Sequence, residues 1–176
     1  MYPITRLLKI ALQARSKPKL DYNAVSEINF RCRPWDLDLF LEMNNGRILT
    51  LFDLGRTDLA IRSGLISALR KNKWGLAVAG SSNRFRRRVH LFDKVTIRTN
   101  VVGYDERWIY IYQSMWVGDK PTSSGLLRTC VTEKGSAVTT DRILAALNAS
   151  DIKQEVPIWV KEWCEAEEHR PWPPAH

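Results

Sequence analysis

Hydrophobic and polar residues alternate along most of the chain, which is the pattern of half-buried β-strands. The alternation first appears in residues 25–35 and then dominates from residue 74 onward. It predicts strands over residues 25–35, 74–91, 94–102, 107–117 and 122–133, the second of them bulged around residues 80–82. Because only short turns separate the last three strands, we expect them to pair in antiparallel fashion.

One segment changes from a period of two to helical spacing and predicts a long central helix. Asn44 and Asn45 precede it, and asparagine is a preferred N-cap because its side chain accepts hydrogen bonds from the free amides of the first turn. We expect the helix to run from Asn45 for about eighteen residues, with Gly64 at its C-terminal cap and an Asp58–Arg62 pair one turn apart. Its apolar positions are Ile48, Leu51, Phe52, Gly55 and Leu59.

Shorter helices are predicted towards both ends of the chain. Residues 4–12 carry one apolar helical face, residues 141–148 form a short helix capped by Thr140, and Pro157 opens a last helix. The order of strand, long helix and strand meander predicts an α+β fold, in which one curled antiparallel sheet wraps around the central helix.

The predicted sheet is incompletely covered by its own chain. One helix shields only one face, and the edges expose unpaired backbone, so a second copy of the chain is the expected partner. We expect residues 1–20 to be a basic amphipathic extension and residues 21–138 to be the domain itself. Residues 139–176 are expected to be a helical extension that packs on the domain or on its dimer partner.

The charge of the chain narrows the class of partner. Its 176 residues carry a formal net charge of +8. Such a balance favours an anionic partner, which is a nucleic acid, a lipid headgroup or a phosphorylated small molecule. Residues 1–20 either lie on a membrane surface as an interfacial helix or pack on their own domain, and both interpretations stay open.

The cysteines point to a reducing compartment. Cys32, Cys130 and Cys164 lie far apart and form no CxxC or Cys/His cluster, so we expect neither a metal site nor a disulfide, and a cytoplasmic location. Lys9 and Arg15 interrupt the apolar start of the chain, which argues against a signal peptide. The sequence contains no run of eighteen apolar residues, so it predicts no membrane-spanning helix.

The loop before the central helix holds the best candidates for chemistry. Asp36, Asp38 and Glu42 place three carboxylates next to a helix start, where unpaired amides favour an oxygen that becomes negative during a reaction. A carboxylate that activates water beside such an oxyanion site is the minimal equipment for acyl hydrolysis. The alternative is that the acids only complement the helix dipole.

A basic stretch in the second predicted strand is a candidate phosphate site. Arg84, Arg86 and Arg88 would share one strand face, where they suit the phosphates of coenzyme A or of a carrier protein's prosthetic arm, or a nucleic-acid backbone. A solvated charged face is the alternative. Ser81 and Ser82 lie in the predicted bulge and are candidates to face a groove.

Several of these segments resemble one known family. Residues 36–48, 53–56, 83–92 and 101–105 are similar to hotdog-fold thioesterases of the 4-hydroxybenzoyl-CoA type, above all to the thioesterase superfamily member six family and its bacterial relatives. The resemblance implies hydrolysis of an acyl thioester of coenzyme A or of an acyl-carrier protein. It also implies a homodimer or a dimer of dimers whose grooves lie between subunits. It implies no cofactor other than the coenzyme A that belongs to the substrate.

The resemblance also assigns roles within the loop. Asp38 matches the family's catalytic aspartate, the Asn45 backbone amide matches the group that polarises the thioester carbonyl, and Asn44 matches an asparagine that shapes the loop. Glu42, a candidate substrate contact, stands where the family often has histidine, and Ile48 stands where it often has tyrosine. The missing histidine disfavours dehydratase chemistry.

Two other functions remain as alternatives. The Glu42 departure leaves open a non-catalytic module that binds acyl thioesters or lipids. Nucleic-acid binding through the basic stretch ranks last, because no helix-turn-helix, zinc-finger or RNP motif accompanies it. On the central helix, Asp53 and Arg56 are expected to bridge each other or a neighbouring chain.

Overall fold

A computed structural model describes residues 2–174 as five α-helices and six β-strands. The N-terminal half contains α1 (Ile4–Ser16), β1 (Ser26–Arg31), a 3-10 turn (Pro34–Asp36), α2 (Asn45–Arg62) and α3 (Leu65–Asn72). The strands that follow are β2 (Gly75–Phe85), β3 (Lys94–Tyr104), β4 (Ile109–Val117), β5 (Lys120–Glu133) and β6 (Ser136–Ala137). The last helices are α4 (Thr140–Ala146) and α5 (Ile158–Glu168).

The strands form one antiparallel sheet that curls around α2, which confirms the predicted α+β architecture. Its order is β1-β3-β4-β5-β2, and β6 adds a short hairpin to β5. The strand that follows the helices, β2, therefore lies at one edge, while β1 lies at the other. Helix α2 lies against the sheet with Leu51, Phe52 and Leu54 fully buried.

A row of polar and small residues crosses the sheet beneath α2. Strand register aligns the row, with one residue from each of β1 to β5: Ser26, Thr99, Gln113, Gly125 and Asn83. The buried Gln113 side chain donates from Nε2 to Phe52 O at 2.7 Å and to Thr99 Oγ1 at 2.9 Å. At the β1 end, Ser26 Oγ donates to the buried Asp58 carboxylate at 2.6 Å. These bonds fix the height and rotation of α2 over the sheet.

Gly55 permits this close approach. A Cβ at residue 55 would lie 2.5 Å from Thr99 Oγ1, which is closer than real Cβ atoms pack, and 3.0 Å from Gln113 Nε2. Gly55 is therefore the residue at which helix and sheet touch. They can approach this closely because Gly55 has no side chain.

The predicted start and length of α2 are confirmed. The helix spans Asn45–Arg62, the Asn44 side chain caps it by accepting from Arg47 N, and Asp58 pairs with Arg62 at 3.3 Å. Gly64 follows in the left-handed conformation at φ +82, as expected of the residue that ends a helix. A further helix, α3, begins directly after it and was not predicted.

Several predicted boundaries are wrong, among them the end of β1, which is predicted at residue 35 and lies at Arg31. The strand predicted to reach residue 91 ends at Phe85, because the backbone amides of Arg86 and Arg87 both donate to Thr122 O instead of continuing the ladder. The bulge predicted around residues 80–82 is confirmed as a register shift between Val78 and Gly80. Strand β3 continues to Tyr104, two residues into the turn predicted at residues 103–105, with a register shift between Val101 and Gly103.

The remaining correction concerns α4. Thr140 is not the cap of this helix but its first residue, after an N-cap at Thr139. Its hydroxyl donates to Asp105 O at 2.6 Å, and its amide donates to Glu106 O at 3.0 Å. The start of α4 is thus held by hydrogen bonds to the β3–β4 turn and not by a side-chain cap.

The terminal helices complete the packing of the domain. Helix α1 packs on α2 through Ile10, and basic side chains of the helix and of its C-cap bond the free edge of β1: Arg6 Nη2 to Arg31 O at 3.0 Å and Lys17 Nζ to Glu27 O at 3.1 Å. Helix α5 packs through Val160 on Tyr110. Within residues 2–174, no helix is both long enough and apolar enough to cross a bilayer.

Candidate active site

The loop between β1 and α2 folds into a narrow hairpin. Leu37 and Met43 form an antiparallel bridge, and Asp38 N donates to Glu42 O at 2.9 Å. At the tip, Leu41 adopts a positive φ of 60° and its amide donates to Asp38 O at 3.1 Å. We call residues 37–43 the site hairpin. It places Asp38 two residues beyond Asp36, whose carbonyl accepts from Asn44 N at the start of α2.

Asp36 anchors the base of the site hairpin. Its fully buried carboxylate pairs with Arg6 Nη2 at 2.7 Å and Arg47 Nε at 3.2 Å, and it accepts from Arg33 N at 2.8 Å. Its backbone carbonyl accepts from Asn44 N at 2.9 Å. Both carboxylate oxygens of Asp36 are thus used for structure. Of the two aspartates in the predicted Asp-x-Asp pair, only Asp38 is available to a ligand.

Asp38 keeps one carboxylate oxygen free. Its Oδ1 accepts from Phe40 N at 2.9 Å, which stabilises the hairpin tip, while Oδ2 makes no hydrogen bond to any residue in the range 2–174. The side chain is half-buried. An ionised oxygen in this position can accept a proton from water or attack a carbonyl carbon.

The start of α2 provides unpaired amide donors. Asn44 closes the first turn, since its side chain accepts from Arg47 N at 3.2 Å and its carbonyl accepts from Ile48 N at 3.0 Å. The amides of Asn45 and Gly46 donate to no acceptor in the described part of the chain. Both residues are exposed, so their N–H groups and the positive end of the helix dipole are open to an anionic or carbonyl oxygen.

The structure separates the predicted arginine row. Because β2 ends at Phe85, period-two alternation does not continue to Arg86 and Arg88. Arg84 lies in an aromatic groove on the outer face of the sheet, together with Ser82. Arg88 lies instead at the site hairpin, where its Nε pairs with Glu42 Oε2 at 2.8 Å. The predicted common face of Arg84, Arg86 and Arg88 is therefore wrong.

Two further predicted residues have separate surroundings. Ser81 accepts from Asn83 Nδ2 at 3.2 Å and pairs with Leu127 across the ladder, so it lies outside the outer groove that Ser82 lines. Glu42, predicted to contact substrate, bridges His90 through its backbone and holds Arg88 through its carboxylate.

A cavity of about 250 Å³ lies on the inner side of the sheet, beneath the C-terminal half of α2. Protein interiors rarely leave voids larger than a water molecule, so a space of this size is a candidate binding site. Sequence reasoning missed it, because its walls come from elements that are remote in sequence. Its apolar walls are Leu59, Ala60, Leu65, Ile66, Leu76, Val78, Val101, Ile109, Ile111, Ile143, Leu144 and Leu147.

Among the residues that the structure describes, Asp53 and Arg56 are the only charged side chains that line this cavity. They pair at 3.0 Å, as predicted, and Arg56 Nη1 also donates to Gln113 Oε1 at 2.7 Å. Burial lowers the pKa of Arg56, while Asp53 opposes that shift. Tyr2 donates its hydroxyl to Asp53, and burial together with that bond raises the pKa of Tyr2 to about 12.

The described residues offer no further reactive cluster. Within residues 2–174, no three His, Cys, Asp or Glu side chains are grouped as metal ligands. Burial and the nearby Asp36 raise the pKa of Cys32 to about 11, so this thiol is protonated at neutral pH. Cys32, Cys130 and Cys164 form no disulfide.

Comparison with known proteins identifies the family. The family model described as thioesterase-like superfamily matches residues 32–164, which is more than half of the chain. The chain belongs to the thioesterase-like superfamily. The match includes the site hairpin, all of α2 and the sheet from β2 onward, together with most of α5.

Curated relatives in this superfamily agree with the predicted resemblance. The chain is 33% identical over 107 residues to protein THEM6 of Xenopus laevis, which covers 61% of this chain and 50% of the relative. It is 28% identical over 139 residues to protein THEM6 of Drosophila melanogaster, which covers 77% and 69%. The chain therefore spans about half the length of the frog relative and two thirds of the fly relative.

Solved structures establish the fold. The YbaW probable thioesterase of Escherichia coli superimposes with a TM-score of 0.66 at 17% identity, over 73% of this chain and 99% of that one. A thioesterase of Thermus thermophilus, solved as a complex with coenzyme A and Zn, superimposes at 0.60 with 19% identity, over 73% and 98%. The predicted hotdog fold, a curled antiparallel sheet wrapped around one central helix, is confirmed.

Replacing Asp36 by asparagine should destabilise the protein by about 3 kcal/mol, because two mostly buried arginines lose their counter-charge. Asp38→Asn should cost less than about 1 kcal/mol, because it keeps the Oδ1 acceptor and removes only an unbonded oxygen. Urea denaturation of both variants measures the difference. If Asp36→Asn does not fold, Arg6→Gln removes only one of the two ion pairs of Asp36 and should destabilise the protein less. Equal urea midpoints for all variants would contradict the structural role of Asp36.

Proposed function

We propose that this member of the thioesterase-like superfamily hydrolyses acyl thioesters of coenzyme A or of an acyl-carrier protein. One observation carries the proposal: Asp38 presents an unbonded oxygen on the site hairpin that leads into α2, and the amides of Asn45 and Gly46 at the start of that helix have no acceptor among residues 2–174. A base and an oxyanion site thus lie within one short segment, in a superfamily named for this chemistry.

In the proposed reaction, the thioester carbonyl oxygen accepts a hydrogen bond from Asn45 N. Asp38 removes a proton from water, and the water oxygen attacks the carbonyl carbon. The negative charge on the resulting oxyanion is stabilised by the amide and by the helix dipole. When the oxyanion collapses, the C–S bond breaks and the thiolate takes up the proton. Direct attack by Asp38 would form an anhydride that water then opens, and both routes use the same oxygen.

Asn44 has a positioning role in this proposal. Its side chain and carbonyl satisfy Arg47 N and Ile48 N, which are the third and fourth amides of α2. Only the first two amides are then left for a substrate. The helix start therefore offers these two amides as the donors for a substrate oxygen.

Coenzyme A is one carrier that the comparisons support, because a structural neighbour was solved with it. Arg88 is the arginine that contacts the site hairpin, and its side chain is 75% exposed although Nε holds Glu42. Its remaining guanidinium nitrogens suit a carrier phosphate. Arg84, in the outer groove with Ser82, is a second candidate for the same carrier. Arg86 and Ser81 stay candidates for substrate binding on the basis of the sequence alone.

Asp38→Asn should abolish thiol release from acyl-CoA esters, by about a thousandfold or more, because the variant has no basic oxygen. Thiol release from short, long and aromatic acyl-CoA esters measures it. Asp119→Asn, an exposed aspartate in the β4–β5 turn, is the matched control and should keep full activity. Unchanged turnover in a folded Asp38→Asn protein would overturn the mechanism.

The alternative function is a binding module without catalysis. The Glu42–Arg88 pair occupies the position where the resemblance leads one to expect histidine, and it is the observation that favours this interpretation. A wild-type protein that binds acyl-CoA but releases no thiol from any ester would support it.

We further propose that the chain forms a homodimer through β2. Side chains of α1 bond the outer edge of β1, whereas the outer edge of β2 receives no hydrogen bond from any described residue. Large apolar residues beside this edge and at the hairpin tip are left exposed: Leu76, Val78, Phe85, Leu39 and Phe40. Antiparallel pairing of two β2 strands would satisfy the open edge and place a site groove between subunits.

Wild-type protein should therefore have about twice the 20.3 kDa mass of the chain, or four times if dimers pair. Ala79→Lys places a charge on the β2 edge and should shift the population towards monomer. Thr5→Lys, on exposed α1, is the control that should not. Light scattering after size exclusion measures all three masses, and a monomeric wild type across the accessible concentrations would refute the dimer.

Helix α1 supports a peripheral contact with anionic membranes. Ile10 and Ala14 pack on the domain, whereas Ile4, Leu8 and Leu12 lie outward and are 59%, 59% and 64% exposed. The helix contains no acidic residue, and the exposed Lys9 and Arg15 flank this stripe. Two such stripes in contact would bring like charges together, whereas anionic headgroups would complement them. We therefore propose that the protein is cytoplasmic and contacts the membrane surface through α1.

The double variant Leu8→Ser, Leu12→Ser should lower binding to vesicles of phosphatidylglycerol and phosphatidylcholine by about tenfold or more, because two large side chains no longer enter the interface. Co-sedimentation measures the bound fraction. Ile158→Ser, an equally exposed apolar residue on α5, is the control. Equal wild-type binding to pure phosphatidylcholine, or none to either vesicle, would contradict the anionic-lipid contact.

A further inference from the structure

We propose that the cavity beneath α2 binds the acyl chain of the substrate, and that α4 forms the wall that limits its length. This inference rests on the proposed thioesterase function and deepens it, since it names the substrate class. The class is an uncharged acyl group of intermediate size, larger than a short chain and shorter than a long fatty acyl group.

The size of the cavity sets this range. An apolar cavity of roughly 150 Å³ suffices to bind benzene, and sites for drug-sized ligands begin at about 300 Å³. At about 250 Å³, this cavity lies between those values. An octanoyl or a substituted aromatic acyl group fits such a space, whereas a hexadecanoyl group exceeds it.

The lining sets the polarity of the ligand. Apart from Asp53 and Arg56, the described lining presents aliphatic side chains, aromatic rings and hydroxyls. The two charges neutralise each other at 3.0 Å, and Arg56 also bonds Gln113. No unbalanced charge in this lining is left to receive a carboxylate at the far end of a chain. The cavity therefore favours a plain hydrocarbon or aromatic group over a dicarboxylic one.

Helix α4 forms part of the cavity wall. Ile143 and Leu144 of the helix line the cavity together with Leu147, the residue that caps its C-terminal end. The helix is held at its start by the bonds of Thr140 to Asp105 O and Glu106 O. A wall fixed in this way does not yield to a longer chain, so its side chains set the limit.

The position of the cavity agrees with the proposed dimer. Asp53 lies eight residues after Asn45, which is about 12 Å along α2 at the rise of roughly 1.5 Å per residue of an α-helix. Leu76 and Val78 of the edge strand β2 line the cavity, so it adjoins the proposed subunit boundary. The acyl chain can therefore lie in one protomer while the site hairpin of its partner acts on the carbonyl.

Binding of non-hydrolysable S-alkyl thioethers of coenzyme A tests the inference without relying on turnover. Titration calorimetry with butyl, octyl, dodecyl and hexadecyl thioethers should give tightest binding for octyl in the wild type. Leu147→Ala, at the half-buried end of α4, should move the optimum to dodecyl and tighten dodecyl binding by about tenfold, because the enlarged cavity buries further methylenes. Leu147→Trp fills the space and should weaken octyl binding while leaving coenzyme A binding unchanged.

Leu54→Ala is the matched control. This leucine of α2 is fully buried in the core and lines neither the cavity nor the outer groove, so its loss should leave the order of the thioethers unchanged. An optimum that neither Leu147 variant moves would overturn the inference even if the wild type hydrolyses esters. A shift of the optimum without thiol release from any ester would uphold the cavity assignment and refute the proposed hydrolysis.

Discussion

The contact of α2 with the polar row of the sheet is the constraint on which the rest of the structure depends. Gln113 bonds both the helix backbone and Arg56, Ser26 bonds Asp58, and Gly55 lets the helix come close enough for these bonds to form. Breaking these buried hydrogen bonds would leave their polar partners unsatisfied, so the bonds hold the helix at one height and one rotation over the sheet. The positions of the helix start and of the cavity both follow from that placement.

The site hairpin depends on a second buried interaction. Asp36 gathers Arg6 from α1 and Arg47 from α2 around one carboxylate, and thereby ties the N-terminal helix, the hairpin and the central helix together. Because this aspartate is fully occupied, its neighbour two residues later is the one presented with a free oxygen. The same sequence motif thus supplies one structural acid and one acid available for chemistry.

Local signals predicted the elements whose causes are local. Asn44 and the helical spacing after it gave the start and length of α2, and period-two alternation gave the strands. The errors fell where distant groups intervene. Arg86 and Arg87 leave β2 because Thr122 O accepts both of their amides, and Gly103 stays within β3, where a Cβ would meet the backbone at Val156.

The sequence by itself determined the fold class, the central helix and the loop that carries the candidate base, because periodicity, capping and the Asp-x-Asp spacing act over a few residues. Only the tertiary structure decided which aspartate is free, that Arg88 reaches the site hairpin while Arg84 lies in the outer groove, and that a cavity opens beneath α2. These features are built from side chains that are remote along the chain. Their distances are set by how helix and sheet pack, and no local pattern of residues encodes that packing.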